Sequence, residues 1–177
     1  MKNKGLIHIY TGEGKGKTTA AVGLSVRALG NDMKVCYSFF HKRPEKYGYS
    51  EIANIEKLGA DIFAFSKGHP GLDKAITAEQ MQQEAPEALV FLSKLIKEKN
   101  YDMLIMDEVL ISVRDNYITE RQLSDFINNK PEYMELVLTG RGATQSIIDL
   151  ADYVSEIKPI KHPFTDSGII ARKGIEF

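Results

Sequence analysis

The sequence predicts an α/β fold in which helices cover both faces of a mostly parallel sheet. Short apolar runs alternate along the chain with longer segments of helical periodicity, and such alternation requires crossover connections between parallel strands. The strand candidate Met103–Met106 is apolar throughout, which is typical of strands buried on both faces. We expect a single domain over residues 1–177, because a chain of this length that is 43% hydrophobic can close one core.

The elements are expected in a regular order along the chain. Runs of apolar and β-branched side chains predict strands at residues 6–10, 34–40, 61–65, 101–107, 135–139 and 153–157. Helical periodicity predicts helices at residues 17–29, 49–58, 78–99, 120–127 and 145–151. Gly30 is expected to close the first helix. Pro86 lies inside the third helix and is expected to kink or split it.

The composition argues against several functional classes. The formal net charge is −1 and the isoelectric point is near 6.4, whereas duplex-binding proteins usually carry a basic excess. No apolar stretch is long enough to span a bilayer, and the first residues lack the apolar region of a signal peptide. Cys36 is the only cysteine, so a disulfide framework is impossible. We therefore expect a cytoplasmic protein that has neither nucleic acid nor a membrane as its partner.

A phosphate-binding loop is predicted between the first strand and the first helix, where Tyr10–Thr19 reads Y-T-G-E-G-K-G-K-T-T. Gly12, Gly14 and Gly16 allow backbone N–H groups to approach phosphate oxygens and permit the positive φ angles of a tight turn. The helix that begins at Lys17 directs the positive end of its dipole at the same anion. This segment therefore predicts nucleotide binding, and residues 12–16 are called the glycine-rich loop below.

Side chains next to the glycine-rich loop support this interpretation. Lys17 supplies a cationic contact for phosphates, and Thr18 offers a hydroxyl to Mg²⁺. The spacing departs from the pattern G-x-x-x-x-G-K-[ST], because Thr11 stands where that pattern has its first glycine. The alternative is a glycine-rich turn that binds no ligand. The shortened loop also indicates that the phosphates need not lie as they do in a kinase.

Polar clusters follow two further strands of the predicted sheet. Asp107 and Glu108 end an apolar strand, in the arrangement expected of a second Mg²⁺ contact, either direct or through water. The alternative is a solvated pair of acids. Arg141 follows another strand end, where it is expected either to contact phosphate or to bridge to a carboxylate. Because ligands bind outside the carboxyl ends of parallel strands, we expect these clusters to meet the glycine-rich loop.

Three longer segments resemble one family. They are Y-T-G-E-G-K-G-K-T-T-A-A-V-G-L-S-V-R-A-L-G at residues 10–30, L-T-G-R at 138–141 followed by I-D-L-A-D-Y-V-S-E-I-K, and the terminal K-H-P-F-T-D-S-G-I-I-A-R-K-G-I-E-F. Together they resemble the ATP:corrinoid adenosyltransferases of the CobA/CobO/BtuR family. The resemblance covers nearly the whole chain, is dense at both ends and is weak from about residue 41 to residue 100.

The resemblance implies a RecA-like phosphate-loop fold and a homodimer. It also implies transfer of the 5′-deoxyadenosyl group of ATP to the Co(I) centre of a corrinoid such as cobalamin, with release of triphosphate and with an electron donor such as a reduced flavoprotein. By similarity, ATP is held by Gly12, Glu13, Gly14, Lys15, Gly16, Lys17, Thr18, Thr19 and Arg27. The resemblance further implies Mg²⁺ on Thr18, Glu108 and Asp107, and catalytic roles for Lys17 and Glu108.

The resemblance implies an aromatic corrinoid pocket in the middle of the chain. Phe63, Phe65 and His69 are the candidates for it. The two phenylalanines alternate on a predicted strand, and this spacing favours core packing over ligand contact. His69 is a candidate for contact with cobalt or a corrin amide. The sequence favours the alternative, in which it is a histidine on a loop surface.

Two other functions fit the same motifs. One is a small kinase or ATPase that transfers the γ-phosphoryl group, against which the shortened loop argues. The other is a non-catalytic carrier of a corrinoid or nucleotide, which the divergent middle of the chain suggests. Analysis of the products distinguishes these functions, because only alkyl transfer yields triphosphate and a cobalt–carbon bond.

Overall fold

Six parallel strands form the central sheet of the computed structural model, which describes residues 4–42, 48–65, 68–71 and 73–175. The strands are β1 (Ile7–Thr11), β2 (Val35–Phe40), β3 (Asp61–Phe65), β4 (Met103–Asp107), β5 (Glu135–Thr139) and β6 (Tyr153–Glu156). They lie in the order β3-β2-β4-β5-β1-β6, and every neighbouring pair is parallel. The predicted α/β fold is confirmed, and the strand bounds agree with the prediction to within two residues.

The helices in the described part of the chain are α1 (Lys17–Leu29), α2 (Ser50–Lys57), α3 (Ala78–Glu98), α4 (Val109–Arg114), α5 (Glu120–Asn128), α6 (Gln145–Ile148) and α7 (Pro163–Ser167). The five predicted helices are present, although α6 is shorter than expected. The prediction missed α4 and α7. Helix α4 directly follows β4 and its sequence V-L-I-S-V-R is largely apolar, as in a strand, whereas α7 has only five residues. Among the described helices, none has both the length and the apolar character that a membrane span requires.

The hydrophobic core lies in two layers, one on each face of the sheet. Successive side chains of a strand point to opposite faces, and β2 shows this clearly. Tyr37 and Phe39 pack with α1 and α2 on one face, whereas Cys36 and Phe40 pack with α3, α4 and α5 on the other. All six residues of β2 are buried, as expected for a strand covered by helices on both sides.

The strand order determines where the functional side chains meet. β2, β4, β5 and β1 are neighbours in the sheet, and their carboxyl ends therefore lie side by side at one edge. The segments that leave these ends contain Lys42, Asp107, Thr139 and the glycine-rich loop. This edge, with α1 beginning beside it, is the place where a ligand of an open parallel sheet is expected.

α3 runs without interruption through Pro86, so the expected split of this helix does not occur. Its first turn is closed by a capping box, in which Thr77 and Gln80 exchange hydrogen bonds of 2.9 and 3.3 Å. The proline nevertheless lacks an N–H donor, and its ring crowds the carbonyl four residues earlier.

Replacement of this proline should therefore stabilise the protein. We expect Pro86→Ala to raise the free energy of unfolding by about 1–3 kcal/mol, because alanine restores the helical hydrogen bond. Urea denaturation measures the change. Gln83→Ala, at an exposed position of the same helix, is the control and should change stability by less than about 0.5 kcal/mol. A Pro86→Ala protein no more stable than the wild type would contradict the expectation.

Candidate nucleotide-binding site

The glycine-rich loop is shaped by the chain that follows β6. A Cβ atom at Gly12 would lie 2.5 Å from the carbonyl oxygen of Ile157, and one at Gly14 would lie 2.8 Å from it. The Gly14 N–H also donates to this carbonyl at 2.7 Å. Gly12 and Gly16 have positive φ angles of 97° and 130°. Packing against Ile157 therefore requires glycine at positions 12 and 14, in addition to any need for close approach by a ligand.

Lys17 holds the glycine-rich loop from within. Its Nζ donates to the carbonyl oxygens of Gly12 and Gly14, each at 2.7 Å, and its side chain is buried. Burial lowers the pKa of Lys17, although the nearby carboxyl of Glu108 acts in the opposite direction. The ammonium is therefore positioned at the mouth of α1, beside the N–H groups that a phosphate would contact.

Asp107 is the buried centre of the site. Its carboxylate is fully buried at the end of β4 and accepts hydrogen bonds from three neighbouring segments. Thr139 donates to Oδ1 at 2.6 Å, and the Thr18 hydroxyl lies 3.0 Å from Oδ1 and 3.2 Å from Oδ2. Lys42 Nζ forms a short ion pair with Oδ2. Both carboxylate oxygens are thus occupied by protein donors.

Glu108 faces the cleft immediately beside this centre. Its backbone is left-handed, with φ of 67°, and its N–H donates to the Thr139 hydroxyl at 2.9 Å. Burial raises the pKa of the Glu108 carboxyl, and the neighbouring charge of Asp107 adds to this effect. A nearby cation stabilises the ionised form of a partly buried carboxyl that lies next to a second carboxylate. Glu108 and the Thr18 hydroxyl therefore offer oxygen donors of the kind that Mg²⁺ prefers.

These residues line a cleft of about 480 Å³. Its walls comprise Glu13, Gly14, Lys15, Gly16, Lys17, Thr18, Thr19, Val22, Lys42, Tyr49, Ser50, Glu51, Glu108, Arg141, His162, Gly174 and Ile175. The structure thus brings together the predicted loop, the acid after β4 and the arginine after β5. His162, Gly174 and Ile175 show that the C-terminal segment also contributes to the cleft.

Arg141 adopts one of its two predicted arrangements. Its Nη1 lies 2.9 Å from Oε2 of Glu13 in the glycine-rich loop, so it bridges to a carboxylate. Both side chains are about half exposed or more, and such a pair contributes little to stability. The guanidinium therefore borders the cleft without being fixed by burial.

Two groups of predicted residues lie outside this cleft. Arg27 is exposed in the last turn of α1, about 15 Å along the helix axis from Lys17, and is not among the lining residues. Phe63 and Phe65 pack against the core, with their ring centroids 5.4 and 5.6 Å from that of Phe91. Both phenylalanines are only partly buried, and Phe91 is itself 44% exposed, so they lie at the margin of the core; their contact with a corrinoid stays a prediction.

His69 belongs to a separate cluster at the same edge of the sheet. Its Nε2 lies 2.7 Å from Oδ2 of Asp115, and its ring lies 5.7 Å from that of His41 and 6.1 Å from that of Tyr117. His41 is buried with φ of 58°, and its Nε2 is 2.7 Å from the Ser112 hydroxyl. The side chain of His69 is thus held in place by Asp115, and it is not a free surface histidine.

Sequence reasoning missed Lys42 and Ile157 as parts of the site. Lys42 reaches Asp107 because β2 and β4 are neighbours, and Ile157 reaches the glycine-rich loop because β6 pairs with β1. Neither pairing follows from local periodicity. The available signal for Lys42 was its position directly after a buried strand, the same signal that singled out Asp107.

Comparison with known proteins places the whole chain in one group. The family model described as ATP:corrinoid adenosyltransferase BtuR/CobO/CobP matches residues 3–177. Corrinoid adenosyltransferase CobA of Salmonella typhimurium is 32% identical over 182 residues, covering 100% of this chain and 88% of the relative. Corrinoid adenosyltransferases of Escherichia coli K12 and a Sinorhizobium species are 31% and 36% identical, covering 98% of this chain and 86% and 81% of their own lengths.

The buried His41 predicts a specific dependence of stability on pH. Burial lowers the pKa of His41 from 6.5 to about 4, with the neighbouring His69 contributing to the shift. Between these values the unfolded chain binds a proton that the folded chain does not, so the free energy of unfolding falls as the pH drops from about 6.5 to 4.

The variant His41→Asn tests this assignment, because asparagine tolerates the left-handed backbone but does not titrate. On lowering the pH from 7 to 5, we expect the wild type to lose about 2 kcal/mol more stability than the variant. Urea denaturation at the two pH values measures the difference. Equal losses in both proteins would show that the folded state does not resist protonation of His41.

Proposed function

We propose, because this chain belongs to the ATP:corrinoid adenosyltransferase family BtuR/CobO/CobP, that it transfers the 5′-deoxyadenosyl group of ATP to Co(I) of a corrinoid and releases triphosphate. One observation supports this proposal most strongly. The glycine-rich loop, the cation of Lys17 and the acid Glu108 line a single cleft, in a chain that the family matches along nearly its full length.

ATP is proposed to lie with its triphosphate along the glycine-rich loop and the start of α1. Backbone N–H groups, Lys15 and Lys17 would contact phosphate oxygens, and Gly12, Glu13, Gly14, Gly16, Thr18 and Thr19 would complete the binding segment. In this family the shortened loop is associated with ATP bound in a reversed sense, so that C5′ of the ribose faces the acceptor. Gly16 is the least crowded of the three loop glycines, since a Cβ there would meet only Cδ1 of Ile157, at 3.8 Å.

Mg²⁺ is proposed to be held by Thr18 and Glu108. Their hydroxyl and carboxylate oxygens fit the preference of Mg²⁺, which commonly uses one or two carboxylates together with substrate phosphates. Asp107 is proposed to support the metal site indirectly, by orienting Thr18, because both of its carboxylate oxygens already accept hydrogen bonds from the protein. When bound, Mg²⁺ supplies positive charge to a triphosphate leaving group.

The chemical step requires positioning more than acid–base chemistry. Co(I) is itself a strong nucleophile; its electron pair forms the bond to C5′ while the C5′–O bond breaks and its electrons remain on the triphosphate. The protein would contribute by holding C5′ in line with cobalt. Lys17, Lys15 and the backbone N–H groups would stabilise the negative charge that develops on the leaving oxygen.

The corrinoid is proposed to approach the cluster around His69. This cluster adjoins the nucleotide site: Arg114 pairs with Asp115 at 2.6 Å, and the absence of a side chain at Gly142, next to Arg141, leaves room for Arg114. Rings connect the cluster to the sheet. Phe63 and Phe65 would support the pocket from the sheet. The ring centroid of Phe65 lies 5.6 Å from that of Phe40, which in turn lies 6.3 Å from that of His41.

A second copy of the chain is proposed as a partner, in a homodimer. β6 is an edge strand whose side chains are all exposed, including Tyr153 and Val154. The C-terminal segment adds further exposed apolar side chains at Ile160, Phe164 and Ile170. Apolar surface of this extent is typical of protein interfaces.

Arg27 would then contact nucleotide only if the dimer brings it to the cleft of the partner subunit. A cytoplasmic location and a reduced flavoprotein as electron donor are proposed from the family.

Product analysis tests the proposed function directly. The protein is incubated with ATP, Mg²⁺ and chemically reduced cob(I)alamin, and the visible spectrum and the phosphate products are followed. We expect a light-sensitive alkylcobalamin and inorganic triphosphate in equal amounts. ADP as the product would instead indicate phosphoryl transfer, and binding of both substrates without any product would indicate a carrier.

Removal of the Glu108 charge should affect both metal binding and turnover. We expect Glu108→Gln to lower kcat/KM by about 100-fold or more, because one charged ligand that stabilises the leaving group is lost. The Mg²⁺ concentration that supports half-maximal ATP binding should rise by about tenfold or more. Glu98→Gln, at the exposed end of α3, is the control and should match the wild type in both measurements. Wild-type Mg²⁺ dependence in Glu108→Gln would exclude Glu108 as a metal ligand.

A further inference from the structure

Lys42 is a buried cation that the proposed reaction leaves without a role. It follows β2 at the edge of the sheet, and its Nζ pairs with Oδ2 of Asp107 and lies 3.3 Å from the Thr18 hydroxyl. On the other side, Nζ lies 5.1 Å from the centroid of the Tyr49 ring. Lys42 also lines the nucleotide cleft. The ammonium is therefore located between the buried Asp107 and the space where the triphosphate is proposed to bind.

The ammonium of Lys42 carries its charge in this position. Burial alone would lower its pKa, but the charge and the hydrogen bond of Asp107 outweigh burial, and the pKa of Lys42 is raised. Asp107 is fully buried and needs a positive partner, because an isolated buried carboxylate is costly. Lys42 meets that need, next to the Thr18 hydroxyl that is proposed to hold Mg²⁺.

A second buried group, the hydroxyl of Tyr37, lies near Asp107 without a hydrogen bond of good geometry. Tyr37 is fully buried, and no atom of the described residues forms a hydrogen bond of good geometry with its hydroxyl. Tyr37 pairs with Ile105 of β4, and Asp107 lies two residues further along β4 on the same face of the sheet. Burial raises the pKa of Tyr37, and both the charge of Asp107 and a side-chain interaction with that carboxylate act in the same direction. A buried hydroxyl without a hydrogen bond is unfavourable. The Tyr37 hydroxyl could donate to Asp107 if Lys42 left that carboxylate.

We propose that Lys42 is a phosphate-binding cation, which leaves Asp107 for the triphosphate when ATP and Mg²⁺ bind, while the Tyr37 hydroxyl takes its place on Asp107. This inference rests on the proposed function, because it assumes a triphosphate in the cleft. The exchange keeps every buried charge paired, because the triphosphate offers more negative charge than one carboxylate. A divalent cation bound to Thr18 would also repel the ammonium of Lys42, whose Nζ lies 3.3 Å from the Thr18 hydroxyl. Tyr37 then donates to Asp107 the hydrogen bond of good geometry that it lacks while Lys42 pairs with that carboxylate.

Binding of inorganic triphosphate with Mg²⁺, measured by titration calorimetry, tests the exchange without corrinoid or turnover. We expect Lys42→Met to weaken this binding by about tenfold or more, the usual effect of losing a hydrogen bond to a charged group. We expect Tyr37→Phe to weaken it a few-fold without lowering the melting temperature of the empty protein. Lys94→Met, on the exposed face of α3, is the matched control and should bind as the wild type does.

A double variant separates phosphate binding from simple neutralisation of Asp107. Asp107→Asn removes the charge that Lys42 pairs with, so in this background Lys42→Met no longer leaves a buried carboxylate unpaired. If Lys42 binds phosphate, the double variant should bind triphosphate about tenfold more weakly than Asp107→Asn alone. Equal affinities of these two proteins would overturn the proposal.

A structure of the wild type with Mg²⁺ and triphosphate provides a test that needs no variant to fold. The proposal expects Lys42 Nζ within hydrogen-bonding distance of a phosphate oxygen and the Tyr37 hydroxyl on Asp107. Lys42 still paired with Asp107 in that complex would refute it. Failure of this test leaves alkyl transfer intact, since adenosylcorrinoid formation is measured separately and depends on different observations.

Discussion

Burial of a single carboxylate, that of Asp107, is the constraint on which the functional edge of the sheet depends. A fully buried charge must be neutralised and hydrogen-bonded, and here the donors come from three other parts of the chain: the start of α1, the second residue after β2 and the end of β5. Satisfying Asp107 therefore aligns Thr18, Lys42 and Thr139 at one point. Thr139 in turn fixes the backbone of Glu108, whose side chain is thereby directed into the cleft. The cleft inherits its geometry from this network.

The charges around the cleft nearly balance before any ligand is present. Lys17, Lys42 and Arg141 each contact a carbonyl or carboxylate oxygen of the protein itself. A polyphosphate that binds here therefore replaces protein oxygens as the partners of these cations, because the site has little uncompensated positive charge. Such exchange favours ligands that carry their own cation, because the cation compensates the carboxylates whose partners are withdrawn. The cluster of His41 and His69 is separate from this balance and is held together by Ser112 and Asp115.

The parts of the molecule that the sequence predicted are those that depend on local chemistry. The strand and helix pattern, the glycine-rich loop and the acids at the end of β4 can each be predicted from a short segment, because the residue types in that segment serve one physical purpose. The parts that escaped prediction depend on which strands are neighbours: Lys42 on Asp107, Ile157 behind the loop, and the C-terminal residues at the cleft. Helix α4 was missed for a different reason, because four of its six residues are apolar and so short a segment fits both periods. Arg27 was implied by resemblance alone, and its position on α1 does not bring it to the cleft of the same chain.

The packing of Ile157 against the glycine-rich loop has a consequence for how this segment evolves. Any side chain at position 12 or 14 would collide with a backbone carbonyl, whether or not a nucleotide is ever bound. A descendant that had lost its activity would still keep both glycines for as long as it kept the fold. Retention of these two glycines in a divergent homologue therefore reflects the fold. Glu108, whose carboxyl faces the cleft, is more informative about whether catalysis has been inherited.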